Sequence, residues 1–319
     1  MNSTSGISSK DPIAAGPADV SSSPRQKAEE TQPMSPTSPQ CRAGWRPSPL
    51  PRWLQLRIKA SIPFNRSHRH GLEHVVVLPF NKVAKLDVHV TEIAALNFVR
   101  ANTSIPVPEI LEVYHDAKHE GFANIVMTKI PGNDLSKVMD KMSDAELKAV
   151  VKELSGYIMQ LRRFEKDAGD KTPAVGGVGG IAGFDTRIAS RPFGPFSTIA
   201  DFHTYIRRRE PIEHWEHEPS VMAVHGRPEG AYELKLTHND IAPKNIRVKH
   251  GKITGIIDWE FAGWYPEYWE YTRLFHPGEQ EGLRRWYNAI EEEDGICKYK
   301  IEKQSEEAIW EMLGPFGFE

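Results

Sequence analysis

Cysteine is scarce: this chain of 319 residues holds two, Cys41 and Cys297. Two thiols so far apart support no disulfide framework, and there is neither a Cys-x-x-Cys pair nor a zinc-ligand cluster. No apolar run approaches the roughly 18 residues that a membrane-spanning helix requires. The first residues lack a basic stretch followed by an apolar one and carry Asp11, Asp19, Glu29 and Glu30 instead. Neither a signal peptide nor a transit peptide is therefore expected. A large excess of one charge is also missing. The formal net charge of −3 makes no case for nucleic acid as a partner. No membrane association and a reducing, cytoplasmic setting are the expectations. What is present, 39% hydrophobic and 26% charged residues, is ordinary for a globular protein. The length suits about two domains or one large one.

Aliphatic residues are few in residues 1–52, where nine of the 24 prolines fall and serine is dense. Such a segment cannot bury enough apolar area to offset its ordering entropy, and it is expected to be a disordered tail. Its Ser-Pro steps at Ser23, Ser35, Ser38 and Ser48 are candidate phosphorylation sites, with a plain solvated tail as the simpler reading.

Beyond residue 53 the pattern turns globular. Val75-Val76-Val77-Leu78 and Val83-Ala84-Lys85-Leu86 predict two strands of a hairpin around Pro79-Phe80-Asn81. Thr91 is a candidate cap for a helix reaching about Arg100, with Glu92, Leu96 and Val99 on one face. Residues 110–114 and 124–128 predict two more strands, and Pro131 to Asp134 a turn. Ser143-x-x-Glu146 is a capping box. Leu147, Val150, Val151, Leu154, Ile158 and Leu161 follow at helical spacing, which predicts a long amphipathic helix. A helix from Thr198 to Arg209, strands at 245–249 and 252–259 joined by His250-Gly251, and helices after Pro266 complete the pattern. Strands first and helices later predict an α+β fold with a small strand-rich lobe and a larger helical one. Gly176-Gly177-Val178-Gly179-Gly180 is no phosphate loop: the Lys-Ser/Thr of a P-loop is missing, and a helix precedes it.

The chemistry concentrates in His238-Asn239-Asp240, Asn245 and Asp258. Pro243 keeps the loop between Asp240 and Asn245 from becoming a regular helix. The hairpin after it folds the chain back, so Asp258 can sit beside Asn245. Amide and carboxylate oxygens suit a hard cation such as Mg²⁺, which takes one or two protein carboxylates plus substrate phosphates. A further carboxylate at Asp240 could accept a proton from an attacking hydroxyl. Lys85 lies within an apolar run, where an unpaired ammonium would be costly. Lys82, its rival, faces the other side of the strand. Glu92 serves either as Lys85's partner or as an ordinary first-turn acid. His238 is expected to be a structural hydrogen-bonding residue, and Glu260 either joins the metal site or faces solvent.

This arrangement resembles protein-kinase-like phosphotransferases, whose catalytic loop His-x-Asp-x-x-x-x-Asn is followed by a metal-binding Asp. Trp259-Glu260 stand where protein kinases have Phe-Gly, and no Ala-Pro-Glu segment follows Asp258. The wording from Thr237-His238-Asn239-Asp240 to Asp258-Trp259-Glu260 and Ala262-Gly263-Trp264 is similar to the aminoglycoside phosphotransferase family of small-molecule kinases, in a fungal-type version. The resemblance spans about residues 75–275. It implies a two-lobe fold, with residues 53–131 as the nucleotide-binding lobe and 132–319 as the catalytic and acceptor-binding lobe. It implies ATP and Mg²⁺ as cofactors and a small-molecule hydroxyl as acceptor. It further implies Asp240 as catalytic base or hydroxyl-orienting residue and Asn245 and Asp258 as metal ligands. Lys85 would meet the α- and β-phosphates and Glu92 would hold Lys85. Met127, Thr128 and Ile130 would form the adenine hinge, and a loop around Ser61 to Gly71 would cover the phosphates. Residues 258–319 hold 15 acidic against six basic residues, which would draw a cationic acceptor; solvated helix faces explain them at least as well. The dense aromatics Trp259, Trp264, Tyr265, Tyr268 and Trp269 are expected to be core. A catalytically idle binding module and an atypical protein kinase are the rival readings.

Overall fold

A computed structural model describes residues 45–46, 50–65, 75–115, 121–166, 174–275 and 280–314. The Ser-Pro steps lie outside them. The first elements are a two-residue strand, β1 (Trp45–Arg46), and a helix, α1 (Arg52–Asn65). Part of the segment read as tail is thus drawn into the fold: Leu50 packs against the cluster in which Leu54, two residues beyond that segment, is fully buried with the sheet that follows. These leucines supply the apolar area that the residues upstream lack.

The apolar run becomes β2 (Val75–Leu78) and turns into β3 (Lys82–His89), with Val75 opposite Lys85. Helix α2 (Val90–Asn102) follows, with Glu92, Leu96 and Val99 buried. Its cap is His89, whose ring accepts the N–H of Thr91, and not Thr91 itself. The Thr91 hydroxyl is engaged elsewhere, donating to the carbonyl of Glu260 at 2.7 Å. Strands β4 (Ile110–His115) and β5 (Phe122–Thr128) complete a sheet of order β1-β4-β5-β3-β2. Alternation divides its side chains. Ala84, Tyr114 and Val126 meet Leu54 on one face. Val113, Ile125 and Met127 join Ile93, Leu96 and Val99 on the other. Lys85, next after Ala84, falls on the α2 side.

The larger lobe starts with β6 (Asn133–Asp134), α3 (Leu135–Val138) and α4 (Asp144–Arg162). Both hydrogen bonds of the Ser143–Glu146 capping box form, and all six predicted apolar positions of α4 are buried. Strand β7 (Gly176–Gly177), α5 (Ile199–Ile206) and α6 (Pro219–His225) come next. The helix expected from Thr198 to Arg209 is capped by Thr198 and stops at Ile206, before Arg208 and Arg209 take left-handed backbone angles. Strand β8 (Leu234–Thr237) leads into the loop of interest, followed by β9 (Ile246–Lys249), β10 (Lys252–Ile256) and β11 (Gly263–Pro266). Strand β10 ends three residues earlier than predicted because Asp258 turns left-handed, at φ 71°. Helices α7 (Trp269–Leu274), α8 (Arg284–Glu292) and α9 (Lys300–Leu313) close the lobe. The two-lobe α+β arrangement is the one expected.

A second small sheet, β7-β11-β8, was not foreseen, and it explains the glycines. A Cβ on Gly263 would lie 2.4 Å from the carbonyl oxygen of Gly176, so the pairing of β7 with β11 needs glycine at that contact. Trp259, Trp264, Tyr265, Tyr268 and Trp269 are all buried, as core packing predicts. Among the described residues no helix is long and apolar enough to cross a membrane.

Helices α5 and α6 bury a stacked pair, His203 over His225, with ring centroids 4.0 Å apart. Tyr268 lies 2.7 Å from His203, and Arg207 lies 2.8 Å from Nδ1 of His225. Burial, with Arg207 alongside, pushes His203 from 6.5 down to about 3. Folding thus favours the neutral ring. That contribution is fully present above the unfolded value and is lost as the pH falls towards 3. We expect acidification from pH 7 to pH 5 to cost about 2 kcal/mol through His203 alone. His203→Phe should flatten the pH dependence of the melting temperature over that interval.

Candidate active site

The loop after β8 is held rigidly from below. His238 is fully buried, with Nε2 donating to the carbonyl of Ile257 at 3.0 Å and Nδ1 accepting the N–H of Asp240 at 3.1 Å. One donor and one acceptor define the neutral imidazole, and burial pushes the residue down to about 4. It is structural, as the sequence suggests. Trp259 packs against it with ring centroids 4.5 Å apart and donates its indole N–H to Ile256. That anchoring is what tryptophan adds at this position. Glu270 of α7 accepts the N–H groups of His238 and Asn239 at 2.6 and 3.1 Å. Burial lifts Glu270 to about 7, with those two N–H groups pulling the other way. Asn239 sits at φ 68°, a left-handed angle that asparagine tolerates. Its amide donates to Asp185 and to the carbonyl of Phe261.

Both oxygens of Asp240 are engaged. Oδ2 accepts from Asn245 at 2.8 Å and lies 3.0 Å from the Lys244 ammonium. Oδ1 accepts from Arg187 at 3.2 Å. Asn245, in the short 3₁₀ turn Pro243–Asn245, also donates to the carbonyl of Asp240. The N–H of Ile257 donates to the carbonyl of Asn245 at 2.9 Å. That bond brings the exit of β10, and with it Asp258, beside Asn245.

Lys85 joins the lobes. Its Nζ lies 2.6 Å from Asp258, 2.8 Å from Glu92 and 3.4 Å from Glu260. Burial alone would lower its pKa, but the three carboxylates outweigh burial and raise it. Glu92 is raised by burial to about 7, with Lys85 opposing. Asp258 is lowered: burial would raise it, but Lys85 prevails. Oxygens of Glu92, Asp258 and Glu260 lie within 4.8 Å of one another. The left-handed backbone of Asp258 is uncommon for a residue with a Cβ, and it is where the chain turns this carboxylate towards Lys85.

The sequence-predicted residues Lys85, Glu92, Asp240, Asn245 and Asp258 therefore form one connected set. The hinge candidates stand apart. Met127 is buried in β5, the N–H of Thr128 donates to the Glu109 carbonyl, and Ile130 packs against Gly255. The N–H of Lys129 donates to Asn81. Of the expected phosphate-covering loop, residues 61–65 are the end of α1, and 66–71 lie outside the described residues. Sequence reasoning left Glu260 open, and it turns inward to Lys85. It missed Arg187, Asp185 and Glu270 entirely, because no local pattern marks contacts that span 31 residues or more of chain.

A family model described as "phosphotransferase enzyme family" matches residues 68–306. No curated protein sequence matches significantly. Among solved structures, aminoglycoside phosphotransferase APH(4)-Ia is similar, at 17% identity over 74% of this chain and 79% of its own, with a TM-score of 0.49. A thermostable APH(4)-Ia mutant in ternary complex with ADP and hygromycin B is 19% identical over 68% and 70%, with a TM-score of 0.45. The gentamicin complex of APH(2″)-IIa is 13% identical over 81% and 86%, with a TM-score of 0.44.

Proposed function

We propose that this chain, which belongs to the phosphotransferase enzyme family, transfers the terminal phosphoryl group of ATP to a hydroxyl of a small molecule. The observation that carries the reading is the connected set from Asp240 through Asn245 to Asp258 and Lys85. A divalent cation fits the donor chemistry. Asp258 and Glu260 offer carboxylate oxygens close together around an ammonium. Asn245 commits its amide nitrogen to Asp240, which leaves its carbonyl oxygen as the acceptor end. Asn245 and Asp258 would hold Mg²⁺, with Glu260 as a further oxygen donor. Bound there with the phosphates, the ion would neutralise charge on the transferring group.

The protein's own part is positioning. Asp240 accepts a hydrogen bond from the acceptor hydroxyl and directs its oxygen at the phosphorus. Lys85, kept in place by Glu92, donates to the α- and β-phosphates. Met127, Thr128 and Ile130 form the adenine-facing hinge, through carbonyl groups rather than through the N–H groups of Thr128 and Lys129. Residues 53–131 act as the nucleotide lobe and 132–319 as the catalytic and acceptor lobe.

Thermal-shift titration tests the cofactors. ATP at 100 times its dissociation constant should stabilise the fold by about 2.7 kcal/mol, and only when Mg²⁺ accompanies it. A melting temperature that ignores both would favour an idle binding module. ATP turnover with aminoglycosides, choline, ethanolamine, homoserine and neutral sugars then reads the acceptor and its charge.

A further inference from the structure

Arg187 belongs to no part of the reaction so far, yet its guanidinium reaches Asp240. Its own carrier is built first. Asp185 is fully buried, and its carbonyl accepts the N–H groups of Ile188 and Ala189, which closes a tight turn. The Asp185 carboxylate then takes the backbone N–H of Arg187 at 2.9 Å, its Nε at 2.8 Å and its Nη2 at 2.7 Å. This two-pronged grip fixes the plane of the guanidinium. The Phe261 ring lies beneath that plane, 4.9 Å from Cζ. Nη2 also donates to the carbonyl of Asn239, one residue before Asp240. Nη1 is directed at Oδ1 of Asp240 at 3.2 Å.

From this geometry we infer that Arg187 is a positioning residue, which sets the orientation of the Asp240 carboxylate for the incoming hydroxyl. The inference rests on the proposed role of Asp240. The two oxygens of that carboxylate are held unequally. Asn245 and Lys244 hold Oδ2, but Lys244 is 62% exposed and its side chain is free to leave. Oδ1 is held by Arg187, which is 17% exposed and clamped on both sides. Fixing both oxygens fixes rotation about Cβ–Cγ, and thus which lone pair meets the hydroxyl. Misplacement of a reacting group by about 1 Å can cost 100-fold in rate. Lysine keeps the charge but cannot keep the two-pronged grip together with the ring contact.

The test needs no knowledge of the acceptor. Crystal structures of the full chain and of Arg187→Met and Arg187→Lys are compared with AMP-PNP and Mg²⁺ bound. ATP hydrolysis by the same proteins, with water as acceptor, is measured in parallel, with Asp240→Asn as control. The expected result for Arg187→Met is a rotated Asp240 carboxylate and a kcat about 100-fold lower, with the KM for ATP within about threefold of the original. Arg187→Lys should fall between the two and serves alone if the methionine variant does not fold. An unmoved carboxylate, an unchanged kcat, or an ATP affinity that falls in step with kcat would each overturn the inference. An active Asp240→Asn protein would instead remove the parent reading, whatever Arg187 does.

Discussion

Asp240→Asn should lower phosphoryl transfer by about three orders of magnitude, the middle of the range for a positioned proton acceptor, while the protein stays folded. Asparagine keeps the shape of the side chain and one oxygen for Arg187. It replaces the other oxygen with an amide nitrogen facing the amide of Asn245 and the ammonium of Lys244, which now touch Oδ2. Donor against donor at a side chain 13% exposed is expected to cost about 1 kcal/mol. That is small beside a rate loss of about 4 kcal/mol. Binding of ATP should persist, since Lys85 and the carboxylates around it are untouched. Single-turnover kinetics with the best acceptor, together with calorimetric titration of ATP, check both halves. Full transfer by Asp240→Asn, or by Asp240→Ala, would remove Asp240 from the chemistry.

Lys85→Met has the second large effect, and it acts on stability as well as on activity. The ammonium faces three carboxylates, and Glu92 is 1% exposed. Without the cation, Glu92 retains its burial and gains two unopposed negative neighbours. It would take up a proton at neutral pH. Removing one partner of a buried ion pair costs about 3 kcal/mol or more. A glutamate whose folded-state pKa is raised gives its full contribution below the unfolded value of 4.5 and loses it as the pH rises through the folded one. The variant should therefore become less stable as the pH rises from about 5 to 8. Adding Glu92→Gln should recover part of the stability and none of the transfer, because the phosphate contact stays absent. Denaturant melts at three pH values, run beside ATP turnover, separate these outcomes. A Lys85→Met protein with unchanged stability would mean that the cluster is screened far more than its burial implies.

Local signals were legible wherever the chain's own periodicity or spacing sufficed. Ser143 and Glu146 mark the start of α4, and six apolar residues at helical spacing define its buried face. The strand pair at 75–89 and the His250-Gly251 turn, both left-handed, can be read without knowing what they pack against. The spacing from His238 to Asn245 and on to Asp258 can be read as well, because one loop and one hairpin carry it. Alternation placed Lys85 and Lys82 on opposite faces of the strand, and the apolar run around Lys85 favoured it as the inward one.

Contacts between distant segments were not legible. The cap of α2 moved from Thr91 to His89 because the Thr91 hydroxyl bonds the carbonyl of Glu260, 169 residues away. Glu260 could be assigned a direction only once β3 and the residues after β10 had met at Lys85. Arg187 gives no sign in sequence, since its importance lies in reaching a carboxylate 53 residues further along. The order of amino acids by itself determined the helices, the hairpins and the spacing of the proposed reacting groups along the chain, because those depend on near neighbours. Which oxygen of Asp240 is held by which donor was decided only by the folding of the larger lobe, and which acids share one ammonium only by the contact between the two lobes. Such pairing depends on distances in space that no spacing along the chain encodes.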